Sequence, residues 1–107
     1  MLDYEISPSE AAALLSQNKA RLIDVREPWE FETSHVAGSV LMPMGEVPGR
    51  AHQEFDPDEH LVVMCHHGIR SMNVTVWLRE QGFEHVQSLR GGIDAWSVEL
   101  DPAVVRY

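Results

Sequence analysis

Apolar residues fall along this chain in short blocks of two kinds. Leu61-Val62-Val63-Met64 runs without a polar interruption, the pattern of a β-strand covered on both faces rather than one. Arg21–Val25, with Leu22-Ile23 and Val25, and Val86–Leu89 are further strands of this kind, and Leu2–Ile6 and Ser39–Met42, the latter ended by Pro43, complete five strand candidates. The second kind of block is periodic. From Ile69 or Arg70 to Gln81 the apolar residues Met72, Val74, Val76, Trp77 and Leu78 recur at helical spacing, and Gly82 supplies a stop. Propensity and period disagree here: Asn73-Val74-Thr75-Val76 is β-branched and by itself favours a strand. The period, the glycine stop and the strand just before it decide for helix.

The remaining helices announce themselves at their starts. Ser7-Pro8-Ser9-Glu10 places a capping hydroxyl, a proline at the first helical position and an acid three after the cap, and Ala11–Leu15 continues the helix. Glu27-Pro28-Trp29-Glu30-Phe31 reads as a short helix with acids in its first turn. Gly45–Gln53 is one or two helical turns, expected to be irregular because of Pro48 and Gly49, and Gly91-Gly92 opens a last helix through Ile93, Ala95 and Trp96. Strands alternating with helices at this spacing predict an α/β fold: a parallel five-stranded sheet flanked by helices on both faces. No repeat, linker or low-complexity tract divides the chain, so residues 1–107 are expected to form a single domain.

Ligands of such sheets bind beyond the carboxyl ends of the strands, and Cys65 stands at such an end. The segment Cys65-His66-His67-Gly68-Ile69-Arg70-Ser71 runs from a buried strand into the first turn of a helix. A tight loop closing onto a helix N-terminus turns several N–H groups inward and adds the helix dipole, which makes an anion site and favours a thiolate. Gly68 permits a left-handed backbone and leaves room for a ligand. Arg70 adds a permanent positive charge. The segment therefore reads as a nucleophile in a positive cradle.

Composition narrows the chemistry. The chain has 107 residues and a formal charge of −9, which argues against nucleic acid or an anionic membrane as the main partner. With one cysteine, neither an intramolecular disulfide nor a four-thiolate metal centre can form within one chain. Met1–Ile6 is not a basic segment leading into an apolar stretch, and the longest apolar run, Leu61–Cys65, has five residues where a span needs about twenty. The expectation is a soluble cytoplasmic protein, in a compartment that keeps a thiol reduced.

Four segments together resemble a known family, the rhodanese-like sulfurtransferases of the short single-domain type. They are Leu22-Ile23-Asp24-Val25-Arg26-Glu27 with Trp29-Glu30-Phe31, then His35-Val36-Ala37-Gly38-Ser39, the loop Cys65–Ser71, and Leu89-Arg90-Gly91-Gly92-Ile93-Asp94-Ala95-Trp96. Each alone is weak; their order and spacing around the only cysteine are specific. The chain departs from the family pattern at Ala37 and Ser39, which puts the local turn geometry in question. The resemblance implies a rhodanese-like three-layer fold and a ping-pong reaction. Cys65 would be the catalytic nucleophile, taking the outer sulfur of a small donor such as thiosulfate or a persulfide. An external thiol, cyanide or a sulfur-carrier protein would take that sulfur onward. His66, His67, Gly68, Ile69, Arg70 and Ser71 would form the substrate-binding loop, the amides holding the outer sulfur while Arg70, with His66 or His67, receives the donor anion. No metal or organic cofactor is implied. Physiological donor, acceptor and oligomeric state are left open.

Two other functions fit parts of the pattern. Related cysteine-dependent phosphatases and arsenate reductases place one residue more between cysteine and arginine. Here Arg70 follows Cys65 by five positions, and the position that would need arginine is Ser71. A non-catalytic rhodanese-like binding or regulatory module commonly lacks the loop cysteine, which is present. Adjacent His66 and His67 are poorly placed to converge on one metal ion. Asp24 and Arg26 flank Val25 and are expected to form a structural ion pair or a hydrogen bond to a neighbouring loop, His35 anchors a turn, and Trp29, Trp77 and Trp96 are expected in core or rim packing.

Overall fold

In a computed structural model, which describes residues 2–107, the five strands form one sheet in the order β1-β5-β4-β2-β3, all neighbours parallel. The strands are β1 (Glu5–Ile6), β2 (Arg21–Asp24), β3 (Val40–Leu41), β4 (Leu61–Met64) and β5 (Val86–Leu89). The helices are α1 (Pro8–Ser16), α2 (Pro28–Thr33), α3 (Val47–Glu54), α4 (Ile69–Glu80) and α5 (Gly92–Glu99). Of the segment read for a leader, Met1 lies outside the described residues.

The uninterrupted apolar run of β4 is explained by its place at the centre of the sheet. Leu61, Val63 and Cys65 pack with Val47, Ala51, Val74 and Leu78 of α3 and α4, while Val62 and Met64 pack with Ala11, Ile93 and Trp96 of α1 and α5. Every side chain of the strand thus faces a helical layer, the three-layer arrangement expected of a doubly covered parallel sheet. From β2 the chain moves outward to β3; from β4 it moves the other way, to β5. The strand order therefore reverses between β2 and β4, and ligands of open α/β sheets lie outside the carboxyl ends at such a point. Asp24 and Cys65 are what the two strands deliver there.

Several boundaries differ from expectation. The first strand is only Glu5–Ile6, because it is an edge pairing with β5 alone. The carbonyl of Asp3 accepts instead from the Arg79 and Gln87 side chains, at 2.8 and 3.0 Å. Gly45–Gln53 is more regular than expected: a 3₁₀ turn at Met44–Glu46 leads into α3 without interruption. Pro48 sits in the first turn of α3, where a missing N–H breaks no helical bond. The Ala37/Ser39 departure is accommodated, since the Ser39 amide and hydroxyl both donate to the Val36 carbonyl, at 3.1 and 2.7 Å, and close the turn. Trp96 is buried and Trp77 lies against the core, but Trp29 is 61% exposed. Helix α2 turns Glu30 inward in its place.

Candidate active site

Cys65 follows the last residue of β4 and is 1% exposed. Two amides reach its sulfur: Gly68 N–H at 3.1 Å and Ser71 N–H at 3.3 Å. Both belong to the start of α4, where the first-turn N–H groups lack intrahelical acceptors; Gly68 is the cap and Ser71 the third helical residue. The cap has φ +106°, a conformation that L side chains rarely adopt. It swings the chain over Sγ within three residues. The thiol in turn donates to Ser71 Oγ at 3.4 Å, and Ser71 Oγ shares a 2.7 Å hydrogen bond with Ser88 Oγ on β5.

The loop is also held from below. Ile93 N–H donates to the Cys65 carbonyl at 2.9 Å and Asp94 N–H to the His66 carbonyl at 3.2 Å, so the start of α5 binds the backbone of Cys65 itself. The approach is close. A Cβ at Gly92 would lie 2.5 Å from the His66 carbonyl oxygen and 2.6 Å from its carbonyl carbon, which explains the second glycine after β5.

The loop side chains divide into three groups. His67 and Ile69 are exposed, Ile69 at 76%. His66 is stacked between the rings of His67 and Tyr107, with centroids 4.0 and 3.9 Å away. Burial, and next the neighbouring His67, push its pKa below the usual histidine value, so near neutral pH His66 carries no charge. Arg70 is not a free cation. Its Nη1 and Nη2 donate to Glu30 Oε1 and Oε2 at 2.7 and 3.0 Å, and that pairing raises its pKa further. The permanent charge expected in the cradle is thus present but matched by an acid from α2.

Glu30 and Tyr107 are the residues beside the loop that the sequence reading did not reach. Glu30 is 4% exposed, and its pKa is lowered to about 2, first by the Arg70 hydrogen bonds and then, against the cost of burial, by the Tyr107 hydroxyl and the Glu27 amide. Tyr107 donates to Glu30 Oε2 at 2.6 Å and accepts from Arg26 Nη1 at 2.9 Å. Burial and the adjacent carboxylate push its phenol up to about 12. Arg26 and Asp24, both fully buried, form an ion pair, one of the two structural roles expected of them, with Nε to Oδ1 at 2.8 Å and Nη2 to Oδ2 at 2.6 Å. Arg26 also donates to the Glu30 and Ser34 carbonyls. The glutamate had a visible signal, since its position three after Glu27 marks a capping box, which the structure contains. Its second duty towards Arg70 depends on a contact across 40 residues of chain.

Comparison with known proteins places this geometry among relatives. The sequence profile described as a rhodanese-like domain matches residues 7–99. The thiosulfate sulfurtransferase GlpE of Actinobacillus pleuropneumoniae is 39% identical over 103 residues, 96% of this chain and 94% of that protein. Among solved structures, a rhodanese-related protein from Thermoplasma volcanium superposes with a TM-score of 0.80 at 26% identity, covering 98% of this chain and 100% of that one. The human single-domain sulfurtransferase TSTD1 shares the fold, with a TM-score of 0.81 at 23% identity over 92% of this chain and 98% of its own.

Proposed function

The chain belongs to the rhodanese-like family, and from that premise we propose that it is a sulfurtransferase moving a sulfane sulfur from a thiosulfate-type donor to an external thiophile through a persulfide on Cys65. The observation that supports this most directly is the coordination of Sγ by the Gly68 and Ser71 amides. Two N–H donors on one sulfur, at the positive end of a helix, stabilise a thiolate and do not require a metal or a general base to do so.

In the first half-reaction the Cys65 thiolate attacks the outer sulfur of the donor. A lone pair of Sγ forms the new S–S bond, and the electron pair of the breaking S–S bond leaves with the donor; thiolate plus thiosulfate dianion become persulfide anion plus sulfite dianion. The Ser71 hydroxyl, which accepts from the thiol, rotates to donate to the thiolate, its oxygen accepting from Ser88. In the second half-reaction the acceptor takes the outer sulfur and regenerates the thiolate. That outer sulfur stands about 2 Å beyond Sγ, so it, rather than the buried Sγ, meets the acceptor. Amides of the loop that Sγ leaves unused hold it. With one cysteine in the chain, the acceptor is an outside group: cyanide, a small thiol or a sulfur-carrier protein. Residues 1–107 act in this reaction as one domain, in the cytoplasm.

Intact-mass measurement after incubation with thiosulfate tests the proposal. The protein is expected to gain one sulfur atom and to lose it on addition of cyanide. Cys65→Ser should gain none and transfer none, while unfolding within about 1 kcal/mol of the wild type, because the exchange conserves shape and leaves the loop amides an acceptor. Sulfur transfer by Cys65→Ser would refute the assignment.

A further inference from the structure

Two opposite charges meet beside the sulfur loop, and they are unequal in exposure. Glu30 is 4% exposed whereas the Arg70 side chain is 35% exposed, so the ion pair is buried at its acidic end and open at its basic end. The carboxylate is fixed from three sides: Arg70 takes both oxygens, the Glu27 amide donates to Oε1 at 3.0 Å, and the Tyr107 hydroxyl donates to Oε2. With its pKa near 2, Glu30 is negative across the working range of a cytoplasmic enzyme. Two further arginines near the loop are matched as well, while exposed Arg90, between the Leu89 carbonyl and the Gly91 amide that lie against Gly68, has no ion pair among the described residues. Arg26 pairs with Asp24 and Arg106 with Asp94, and His66 is neutral. At Arg70, the one cation of the loop itself, an arriving anion therefore meets a charge that is already answered.

We infer that Glu30 is a specificity-determining residue that sets the charge of the preferred sulfur donor. By answering Arg70 it offsets part of the attraction that each negative charge on the donor would feel, so the site favours a singly charged donor over a dianion carrying the same sulfane sulfur. This rests on the sulfur-transfer reading above and adds the donor class to it. A small monoanionic sulfane compound, such as an organic thiosulfonate, fits the site better than thiosulfate does.

Coulomb attraction scales with donor charge. Neutralising Glu30 therefore changes the logarithm of capture efficiency twice as much for a dianion as for a monoanion, whereas a merely structural disturbance changes both alike. Glu30→Gln is suited to the test because its remaining oxygen can keep the Glu27 amide and one Arg70 nitrogen. The experiment measures kcat/KM for thiosulfate and for benzenethiosulfonate, with cyanide as acceptor, in the wild type and Glu30→Gln. The expected result is a rise of roughly three- to tenfold for thiosulfate and only its square root, roughly two- to threefold, for the thiosulfonate, both shrinking in high salt. Equal changes for the two donors, or a fall for thiosulfate, would overturn the inference. Should Glu30→Gln fold poorly, Arg70→Ala compared with Arg70→Ala/Glu30→Gln reads the same charge without the ion pair, and the dianion should again gain more. A wild type that turns over neither donor would overturn the sulfur-transfer reading itself, a result distinct from an unchanged donor ratio.

Discussion

Gly92→Ala adds one methyl group where α5 passes beneath Cys65, and the structure allows its cost to be worked out. The residue has φ +62°, and holding alanine in that region costs about 1–2 kcal/mol. The new Cβ would lie 2.5 Å from the His66 carbonyl oxygen, roughly 1 Å inside van der Waals contact. The obstacle is backbone, so no side chain can swing aside. The start of α5 and the Cys65–His66 peptide must separate, which sacrifices the Ile93 and Asp94 hydrogen bonds to those carbonyls at about 1 kcal/mol each. The whole perturbation is about 3–4 kcal/mol, a large share of the roughly 5–15 kcal/mol that holds a domain of this size together. Two other glycines calibrate it. Gly38 has φ +84°, and a methyl group added there would meet nothing within 4 Å, so Gly38→Ala should cost only the backbone part, about 1–2 kcal/mol. Gly49 lies inside α3 with open space around it and no positive φ, and Gly49→Ala should stabilise by about 0.5–1 kcal/mol. Urea unfolding of the three variants gives the order directly, and sulfur loading of Cys65 should fall in Gly92→Ala alone. A Gly92→Ala protein as stable as Gly38→Ala, with normal loading, would refute the view that α5 clamps the loop.

Asp24→Ala would strand the fully buried Arg26 guanidinium beside the site; the expected loss is about 3–5 kcal/mol in urea unfolding, and a loss under about 1 kcal/mol would show that the carbonyls and Tyr107 suffice. Acid stability should carry the signature of Glu30. Its folded pKa of about 2 lies below the ordinary 4.5, so its contribution is fully present above about pH 4.5 and is lost as pH falls towards 2. Allowing for the solvent screening at Arg70, the amount is about 1–3 kcal/mol. The stability advantage of the wild type over Glu30→Gln should therefore shrink between pH 5 and pH 2.5, on the order of the range over which the group titrates; an unchanged difference would contradict the ion pair.

What could be read in the chain was whatever is local or repeats. The run Leu61–Met64 revealed a central strand because both faces of β4 are covered, and the Ser7-Pro8-Ser9-Glu10 cap set the start of α1, where the Ser7 hydroxyl accepts from the Glu10 amide at 3.2 Å. The loop Cys65–Ser71 was legible for the same reason, since Sγ is held by amides three and six residues away. The partners across long stretches of chain were not. Ser88 looks like an ordinary strand residue until β5 lies beside β4. Glu30 reads as a helix-capping acid, and the exposed Trp29 beside it reads as the more obvious core residue; burying the carboxylate is favourable only because Arg70 and Tyr107 arrive from elsewhere. Tyr107 has no pattern around it at all. Its ring is placed by stacking on His66 and by hydrogen bonds to Arg26 and Glu30.

These long-range contacts bear on how an acidic chain can receive an anion. At a net charge of −9 the body as a whole repels the donor, though only weakly at distances beyond the Debye length of about 8–10 Å. Capture must come from groups that act at contact, chiefly the loop dipoles with what Glu30 leaves of the Arg70 charge. Such dipoles are effective only if they already point the right way, because turning them after arrival would consume the energy they supply. Every link described above serves that orientation. The Cys65 and His66 carbonyls are tied down by α5, Sγ is fixed by the start of α4, and the His66 ring is held between two others. Glu30 keeps Arg70 extended along the same rim. The site is thus an arrangement of neutral amides made rigid from both sides of the sheet. Sulfur, whose charge is diffuse and whose partners must be several and weak, is the ligand such an arrangement suits.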